Sequence, residues 1–195
     1  MVALKVYAAL TFDDGYLSHY HIAKSLFEEG IKGTFFITTR LKHFEGEPLL
    51  TLHLKLIRAI NDMDHEIGSH NCTHIILTSL SHRQVEQEIS ESRYYLEEIL
   101  SKKVRGFAYP HGFYNKDVIS KVARYYEYAR LAGKRFEAKT WNSCIKSRYL
   151  IEGIGYKELL KLPTKYISYR HIKPVIVFHN GPLYIVKAVI RYLRC

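Results

Sequence analysis

Apolar runs of strand length alternate with amphipathic segments along most of this chain. Runs of this kind, bounded by polar or glycine residues, are typical of strands buried in a sheet. The predicted strands are Val6–Phe12, Gly33–Thr38, His65–Gly68, Val104–Tyr109, Tyr126–Leu131 and Pro174–Phe178.

The segments between the predicted strands carry apolar residues at helical spacing. In the first segment Ile22, Ala23 and Leu26 share one face, and Gly30 follows as a stop signal. The longest segment begins at Ser81, a residue type that caps helix N-termini. The predicted helices are Leu17–Glu29, Leu52–Met63, Ser81–Leu100, Asn115–Tyr125 and Leu183–Leu193. Because parallel strands need long crossover connections, this alternation predicts an α/β fold with a parallel sheet.

Four short polar clusters come at or just after the ends of predicted strands. They are Thr11–Gly15, His70–His74, Phe107–Gly112 and Phe178–Gly181. Together they supply the carboxylates of Asp13 and Asp14 and the imidazoles of His70, His74 and His179. An open metal site with its own acid and base needs about that set of groups, so the clusters indicate a metal-dependent hydrolase.

The spread of these clusters over the chain favours a barrel over an open sheet. In a (β/α) barrel the carboxyl ends of all strands meet at one rim, whereas an open sheet collects ligands mainly at its switch point. A chain of 195 residues without repeats or linkers suits one domain over residues 1–195, but it is tight for an eight-fold barrel. We therefore expect a distorted or incomplete (β/α) TIM-like barrel.

The Asp pair can divide two tasks between its carboxylates. Adjacent residues that leave a strand point in different directions, so one carboxylate can bind a metal while the other accepts a proton from bound water. Gly15 allows a sharp turn out of the strand. The alternative is a helix cap or an Asp-Gly turn before the first helix.

His70 and His74 are four residues apart, so both can face one ion from a helical turn. Asn71 stands where the zinc-protease pattern has its Glu, so the base comes from elsewhere, and Asp13 is available. A carboxylate with two imidazoles leaves positions open for water and substrate. The same set also matches the iron-binding facial triad, which normally lies on a different, antiparallel fold.

His179 and the Phe107–Gly112 segment supply the remaining candidate groups. An imidazole titrates near neutrality, so His179 suits protonation of a leaving amine. A backbone N–H of Phe107–Gly112 could face a developing oxyanion. Taken alone, His179 is more often a hydrogen-bonded histidine at a strand end, and the Phe107–Gly112 segment is equally well explained as a plain turn.

The formal charge of +10 is unevenly distributed. Residues 1–101 hold 9 Lys/Arg and 14 Asp/Glu, and residues 102–195 hold 20 and 5. Such asymmetry suits a solvated surface or an anionic partner such as a cell-envelope polymer. The basic residues do not form a run, so nucleic acid is not the favoured partner.

No segment approaches the roughly 20 uninterrupted apolar residues of a membrane span. The N-terminal run leads directly into the Asp pair, and cleavage after a core strand would destroy the site. We therefore expect a cytoplasmic protein without a membrane span. Three cysteines are too few for a disulfide framework, and Cys72 is notable only because it lies between two candidate ligands.

The order and spacing of the clusters resemble the polysaccharide deacetylase family, the chitooligosaccharide-deacetylase-like members of carbohydrate esterase family 4. Thr11-Phe12-Asp13-Asp14-Gly15 is similar to the family's first motif. The segment Ser69–His74 resembles its His-x-x-x-His motif, and Val177–His179 resembles its last motif. The resemblance extends from residue 11 to residue 179.

The resemblance implies a distorted (β/α) barrel with one divalent metal, usually Zn²⁺, with Co²⁺ and Ni²⁺ as alternatives. By this analogy Asp14, His70 and His74 bind the metal, Asp13 is the general base and His179 is the general acid.

The implied reaction removes acetyl groups from an N-acetylated glycan or amino sugar. The backbone N–H of Tyr109, beside Pro110, would then help the metal to hold the oxyanion.

Two positions depart from the family pattern. Many members carry an Arg two residues before the Pro of the third motif, and here that residue is Ala108. His111 replaces the usual aromatic residue before Gly112. Two other functions stay open: hydrolysis of a small cyclic amide or ureide, as in allantoinase-like relatives, and a catalytically idle domain that binds an anionic polymer.

Overall fold

The computed structural model describes residues 9–133, 150–155, 175–178 and 186–187. The strands are β1 (Ala9–Phe12), β2 (Gly33–Ile37), β3 (His43–Phe44), β4 (Glu47–Pro48), β5 (Glu66–Ser69), β6 (Gly106–Ala108), β7 (Tyr128–Gly133), β8 (Leu150–Gly155) and β9 (Val175–Phe178). The helices are α1 (His19–Glu28), α2 (Leu54–Asp62), α3 (His82–Leu100) and α4 (Lys116–Tyr125), with short 3-10 turns at Leu50–Leu52, Leu77–Ser79 and Pro110–Gly112.

Seven of the described strands close into a barrel in the order β1-β2-β5-β6-β7-β8-β9, and β9 pairs with β1. Every pair of neighbours in the barrel is parallel. Strands β3 and β4 form a separate antiparallel ribbon. The expected α/β barrel with fewer than eight strands is therefore confirmed for the described residues.

All six predicted strands correspond to observed ones, and within the described residues their ends are shifted by at most two residues. Strand β8 escaped the sequence analysis because Glu152, Gly153 and Gly155 interrupt its apolar pattern. Strands β3 and β4, of two residues each, are too short for any periodicity to show.

Four of the five predicted helices are present. Ser81 caps α3 as expected, in a capping box with Gln84, and the side chain of Asn115 caps α4. Of the predicted helix Leu183–Leu193 only residues 186 and 187 are described, and both are helical. Within the described residues, no helix combines the length and apolar character that crossing a membrane requires.

A stack of three phenylalanine rings joins the strands at the point where the barrel closes. The register places Phe12 of β1 between Phe35 of β2 and Phe178 of β9. The ring centroids of Phe12 lie 4.7 Å from those of Phe35 and 5.0 Å from those of Phe178, and all three rings are fully buried. Such pairs add about 0.5–1.5 kcal/mol each beyond their buried area. The stack fixes the end of β1 directly before Asp13.

The buried side chain of His65 links β2 to α1 through hydrogen bonds on both of its ring nitrogens. Its Nδ1 accepts the N–H of Gly33 at 3.0 Å, so this nitrogen carries no hydrogen, and its Nε2 donates to the carbonyl of Ala23 at 2.8 Å. Burial lowers the pKa of His65 below its ordinary value, although the Ala23 contact opposes this. The buried imidazole is thus held in its neutral form.

Candidate metal centre at the barrel rim

Three of the four polar clusters predicted from the sequence meet at the carboxyl-terminal rim of the barrel, and the fourth, Phe178–Gly181, is described only at Phe178. Asp13 and Asp14 follow β1, His70 follows β5 and Tyr109 follows β6. Parallel strands in a barrel end on the same side, which is why residues from distant parts of the chain come together there.

Asp14, His70 and His74 form one buried group. Oδ1 of Asp14 lies 3.3 Å from Nε2 of His70 and 3.0 Å from Nε2 of His74. One ligand atom from each residue can be chosen so that all lie within 4.8 Å of one another. Among the described residues these three could therefore hold a metal ion.

The hydrogen bonding of His70 tests whether a cation fits this group. Its Nδ1 lies 2.8 Å from the carbonyl oxygen of Ala108, which can only accept, so Nδ1 carries a hydrogen. In a neutral imidazole, the lone pair of Nε2 would then point at the carboxylate oxygen of Asp14. Two lone pairs at this distance repel unless a cation or a proton lies between them. The donor set therefore fits a divalent cation with a preference for nitrogen and oxygen ligands.

The pKa values of the two histidines shift in opposite directions in the metal-free protein. Burial lowers the pKa of His70, but the hydrogen bond to Asp14 and the charges of Asp13 and Asp14 outweigh it and raise the pKa above its ordinary value. For His74 burial prevails and lowers the pKa, with the neighbouring His70 adding to the effect. The local electrostatics therefore favour the charged form at His70 and the neutral form at His74.

The segment 70–74 is not a helical turn, so the predicted helical presentation of the two histidines is wrong, although they do converge. Asn71 and His74 both have a φ of 57°, in the left-handed region. The Asn71 amide supports this conformation: Oδ1 accepts the N–H of His74 at 2.6 Å, and Nδ2 donates to the carbonyl of Ile75 at 3.1 Å. Asn tolerates left-handed dihedrals and forms such local bonds more readily than most residues.

The chain turns sharply after β1, as expected from Gly15. Asp14 and Gly15 have φ values of 73° and 81°. A Cβ on Gly15 would lie 3.1–3.3 Å from atoms of Ile37, so both the dihedral and the space favour glycine. The left-handed conformation of Asp14 is the kind of local strain that clusters at functional sites.

Asp13 is bound by an arginine that the sequence analysis missed. Nη2 of Arg130 donates to Oδ1 of Asp13, and both side chains are only 1–2% exposed. In the barrel register Arg130 of β7 lies directly beside Ala108 of β6. The guanidinium absent from position 108 is thus supplied by the neighbouring strand. The sequence did contain a signal for this ion pair. Arg130 lies inside a predicted core strand, and a buried charge requires a partner.

Gly68 leaves space for the ring of Phe36, which lies beside the guanidinium of Arg130. The guanidinium carbon of Arg130 lies 5.0 Å from the centroid of the Phe36 ring, a distance suited to a cation–π contact. A Cβ on Gly68 would approach that same ring to 2.5 Å. Gly68 therefore permits the position of Phe36 on which Arg130 rests.

Tyr109 and Pro110 lie at the rim, and both are buried. The N–H of Tyr109 donates to the carbonyl of Arg130 at 3.0 Å, so this donor already takes part in the sheet. His111, in the turn that follows, has a φ of 57°, and its ring centroid lies 4.6 Å from that of His74. The ring of Phe44, from β3, approaches His74 from another direction at 4.3 Å.

His179 lies outside the described residues. Strand β9 ends at Phe178, whose carbonyl accepts the N–H of Asp13 at 2.8 Å. Cys72 is buried, and burial raises the pKa of its thiol to about 11. A thiol in this state is a poor metal ligand, so Cys72 is not part of the candidate centre.

A family profile matches the part of the chain that carries the buried Asp-His-His group. The sequence profile of the polysaccharide deacetylase family matches residues 4–130, a stretch that contains Asp14, His70 and His74. The match spans well over half of the chain, so the chain belongs to the polysaccharide deacetylase family. The resemblance drawn from the sequence motifs is thereby confirmed.

Solved structures of similar fold include both enzymes and a pseudoenzyme. A family 4 carbohydrate esterase from Streptomyces lividans, in complex with acetate, is 21% identical over 98% of this chain and 88% of its own, with a TM-score of 0.68. The Streptococcus pyogenes deacetylase PplD, also in complex with acetate, is 19% identical over 92% and 68%, with a TM-score of 0.64.

The third comparison is BA3943 from Bacillus anthracis, a pseudoenzyme of carbohydrate esterase family 4. It is 17% identical, with a TM-score of 0.70, over 98% of this chain but only 62% of its own. At these identities the similarity to solved structures shows the fold.

Proposed function

We propose that this chain is a metal-dependent hydrolase that removes N-acetyl groups from an N-acetylated sugar or polysaccharide and releases acetate. The observation that carries the proposal is the convergence of Asp14, His70 and His74 beside a second carboxylate, Asp13, that a buried arginine binds. Three protein ligands leave open positions for water and substrate, which is the arrangement of catalytic rather than structural sites. Membership of the polysaccharide deacetylase family supports the same chemistry.

Asp14, His70 and His74 would hold one divalent ion, for which we propose Zn²⁺, with Co²⁺ and Ni²⁺ as alternatives. The proposal rests on the mixed nitrogen and oxygen donors and on the 3.3 Å contact between Nε2 of His70 and Oδ1 of Asp14, which a cation could bridge. When bound, such an ion supplies Lewis acidity to a water molecule and to the acetamide carbonyl. Because an imidazole binds a metal only in its neutral form, metal affinity should weaken at low pH.

Asp13 would act as the general base. Its carboxylate accepts a proton from the attacking water as the new C–O bond forms at the acetamide carbon. The hydrogen bond from Arg130 to Oδ1 fixes the orientation of that carboxylate. Because the carboxylate is already oriented in a buried site, little free energy is needed to reorganise it during the reaction.

His179 would act as the general acid. It donates a proton to the amide nitrogen while the C–N bond breaks, which yields acetate and a free amine. This role rests on the family motif and on the position of His179 directly after β9, whose last residue contacts Asp13.

Tyr109 and Pro110 would line the substrate site and contribute to oxyanion binding. Because the N–H of Tyr109 already donates to Arg130, an oxyanion would have to share it in a three-centre bond. The N–H of His111, in the same turn and beside His74, is a second candidate donor.

The main alternative is a catalytically idle domain. It gains support from BA3943, which shares the fold and is a pseudoenzyme. Against it, this chain keeps the clustered metal-binding group and the paired Asp13.

Metal content and acetate release together test the proposal. The wild type should bind about one metal ion per chain, Asp14→Ala and His70→Ala should lose it, and the exposed control His21→Ala should keep it. Asp13→Asn should retain the metal but lose most acetate release from N-acetylglucosamine oligomers. A folded wild type that takes up no zinc, cobalt or nickel would refute metal dependence. Metal binding without acetate release from any N-acetylated sugar would favour the idle domain.

A further inference from the structure

Helix α3 contacts both the start and the middle of the loop that carries the two histidines. Oγ of Ser92 lies 2.5 Å from Oγ of Ser69, the last residue of β5 before His70. One helical turn earlier on the same face, Glu88 contacts the middle of the loop.

The carboxylate of Glu88 accepts three hydrogen bonds from two consecutive loop residues. Its Oε2 accepts the backbone N–H groups of Cys72 at 2.9 Å and Thr73 at 3.0 Å. Its Oε1 accepts the hydroxyl of Thr73 at 2.8 Å. Bonds of this kind to a charged acceptor are stronger than neutral ones, and neighbouring N–H groups that point at one anion form a compact binding geometry.

The remaining backbone N–H groups of the loop are bound by other partners. The N–H of His70 donates to the carbonyl of Ile37, and that of Asn71 donates to the hydroxyl of Ser69. The N–H of His74 donates to the side chain of Asn71. Cys72 and Thr73 are thus the two loop positions whose N–H groups bind Glu88.

The other side of the loop lies against the extension of β2. Backbone N–H groups of Thr39 and Arg40 donate to the carbonyls of Asn71 and Cys72 at 3.2 and 2.9 Å. The loop is therefore held between the barrel wall and helix α3. Its left-handed residues, Asn71 and His74, need such support on both sides because their backbone conformation is intrinsically unfavourable.

We propose that Glu88 is a positioning residue for the metal centre: its three hydrogen bonds hold the 70–74 loop so that the His74 imidazole faces Asp14. The inference rests on the proposed function, since it concerns the same metal. Glu88 acts through the loop and does not contact the reacting groups. Groups that orient metal ligands typically change metal affinity by about 10–100-fold when they are removed.

The test compares Glu88→Ala and Glu88→Gln with Glu86→Ala. Glu86 is a matched control because it lies on the same helix, is likewise half-buried and binds two side chains, those of Arg124 and Tyr125, away from the loop. Zinc affinity is measured by competition with a chromophoric chelator, and amide hydrogen exchange of the metal-free proteins is measured at Cys72 and Thr73.

Glu88→Ala should bind zinc about 10–100-fold more weakly than the wild type and lose amide protection at both loop positions. Glu88→Gln should recover most of the affinity, because its amide oxygen can still accept the two backbone N–H groups. Glu86→Ala should leave both readouts unchanged. Wild-type zinc affinity in Glu88→Ala, or an equal loss in Glu86→Ala, would overturn the inference.

Two further outcomes are decided by the same experiment. If Glu88→Ala does not fold, Thr73→Val removes one of the three bonds and leaves the carboxylate in place. Weaker zinc binding then supports the inference, and unchanged binding overturns it. If the wild type itself binds no metal, the proposed function fails and the positioning role fails with it. If only the positioning role of Glu88 fails, the wild type still binds metal, which distinguishes the two cases.

Discussion

Replacing Arg130 by methionine removes the guanidinium from the buried carboxylate of Asp13 while keeping an unbranched but shorter apolar side chain. Both groups are almost fully buried, and breaking a buried ion pair from one side costs about 3–5 kcal/mol. Nε and Nη1 of Arg130 have no hydrogen-bond partner among the described residues, so their removal offsets about 1–3 kcal/mol of that cost. The expected net loss in the free energy of unfolding is therefore about 0–4 kcal/mol, with a central value of about 2 kcal/mol.

A double-mutant cycle isolates the pair from the rest of the substitution. The free energy of unfolding is measured by urea denaturation for the wild type, Arg130→Met, Asp13→Asn and the double variant. We expect the double variant to be more stable than the sum of the two single losses predicts, because each single change leaves a buried partner behind. In a chain of this size, a loss of about 2 kcal/mol in Arg130→Met should lower the melting temperature by about 4–8 °C.

A coupling energy below about 0.5 kcal/mol would refute the reasoning, because contacting residues in one charge network couple by more than distant ones. Circular dichroism of each variant controls for loss of the fold. Arg130→Lys is the informative second variant, because lysine keeps the charge but lacks the planar group that lies over Phe36.

Three further outcomes are expected. Gly68→Ala should lower the free energy of unfolding by about 1–3 kcal/mol, because its Cβ would press on the Phe36 ring; unchanged denaturation would contradict this. His65 has a lowered pKa, so its stabilising contribution is present above the unfolded-state pKa of 6.5 and is lost as pH falls through the lower folded-state pKa. Urea denaturation between pH 7.5 and 5 should therefore show a smaller loss in His65→Gln than in the wild type, and equal losses would refute it. Zinc at a hundredfold excess over its dissociation constant should stabilise the protein by about 2.7 kcal/mol, reversibly on chelation, and no shift in melting temperature would count against the metal centre.

Local patterns in the sequence predicted most of the barrel. A strand buried on both faces needs a continuous apolar run, and a crossover helix needs an apolar face, so β1, β2, β5, β6, β7 and β9 left direct signals in the chain. The helix caps at Ser81 and Asn115 are equally local, since each bonds only to the first turn of its own helix. Strand β8 left no such signal, because Glu152 and two glycines interrupt it.

The candidate metal ligands could also be predicted, because chemistry restricts which side chains can hold a cation and a barrel brings strand ends together. The expectation of a helical turn from His70 to His74 was wrong, because spacing alone does not report the left-handed dihedrals of Asn71 and His74. The single domain over residues 1–195 and the cytoplasmic location stay predictions. So do the individual roles assigned to the site residues: Asp13, Asp14, His70, His74, Tyr109, Pro110 and His179.

The sequence by itself determined the class of fold and the residues able to form the metal centre, since both follow from residue type and local spacing. Only the tertiary structure decided which groups support that centre. Arg130 reaches Asp13 from 117 positions away, and Glu88 binds Cys72 and Thr73 from a separate helix. Such contacts depend on strand register and on the packing of α3 against the barrel, which no local pattern encodes.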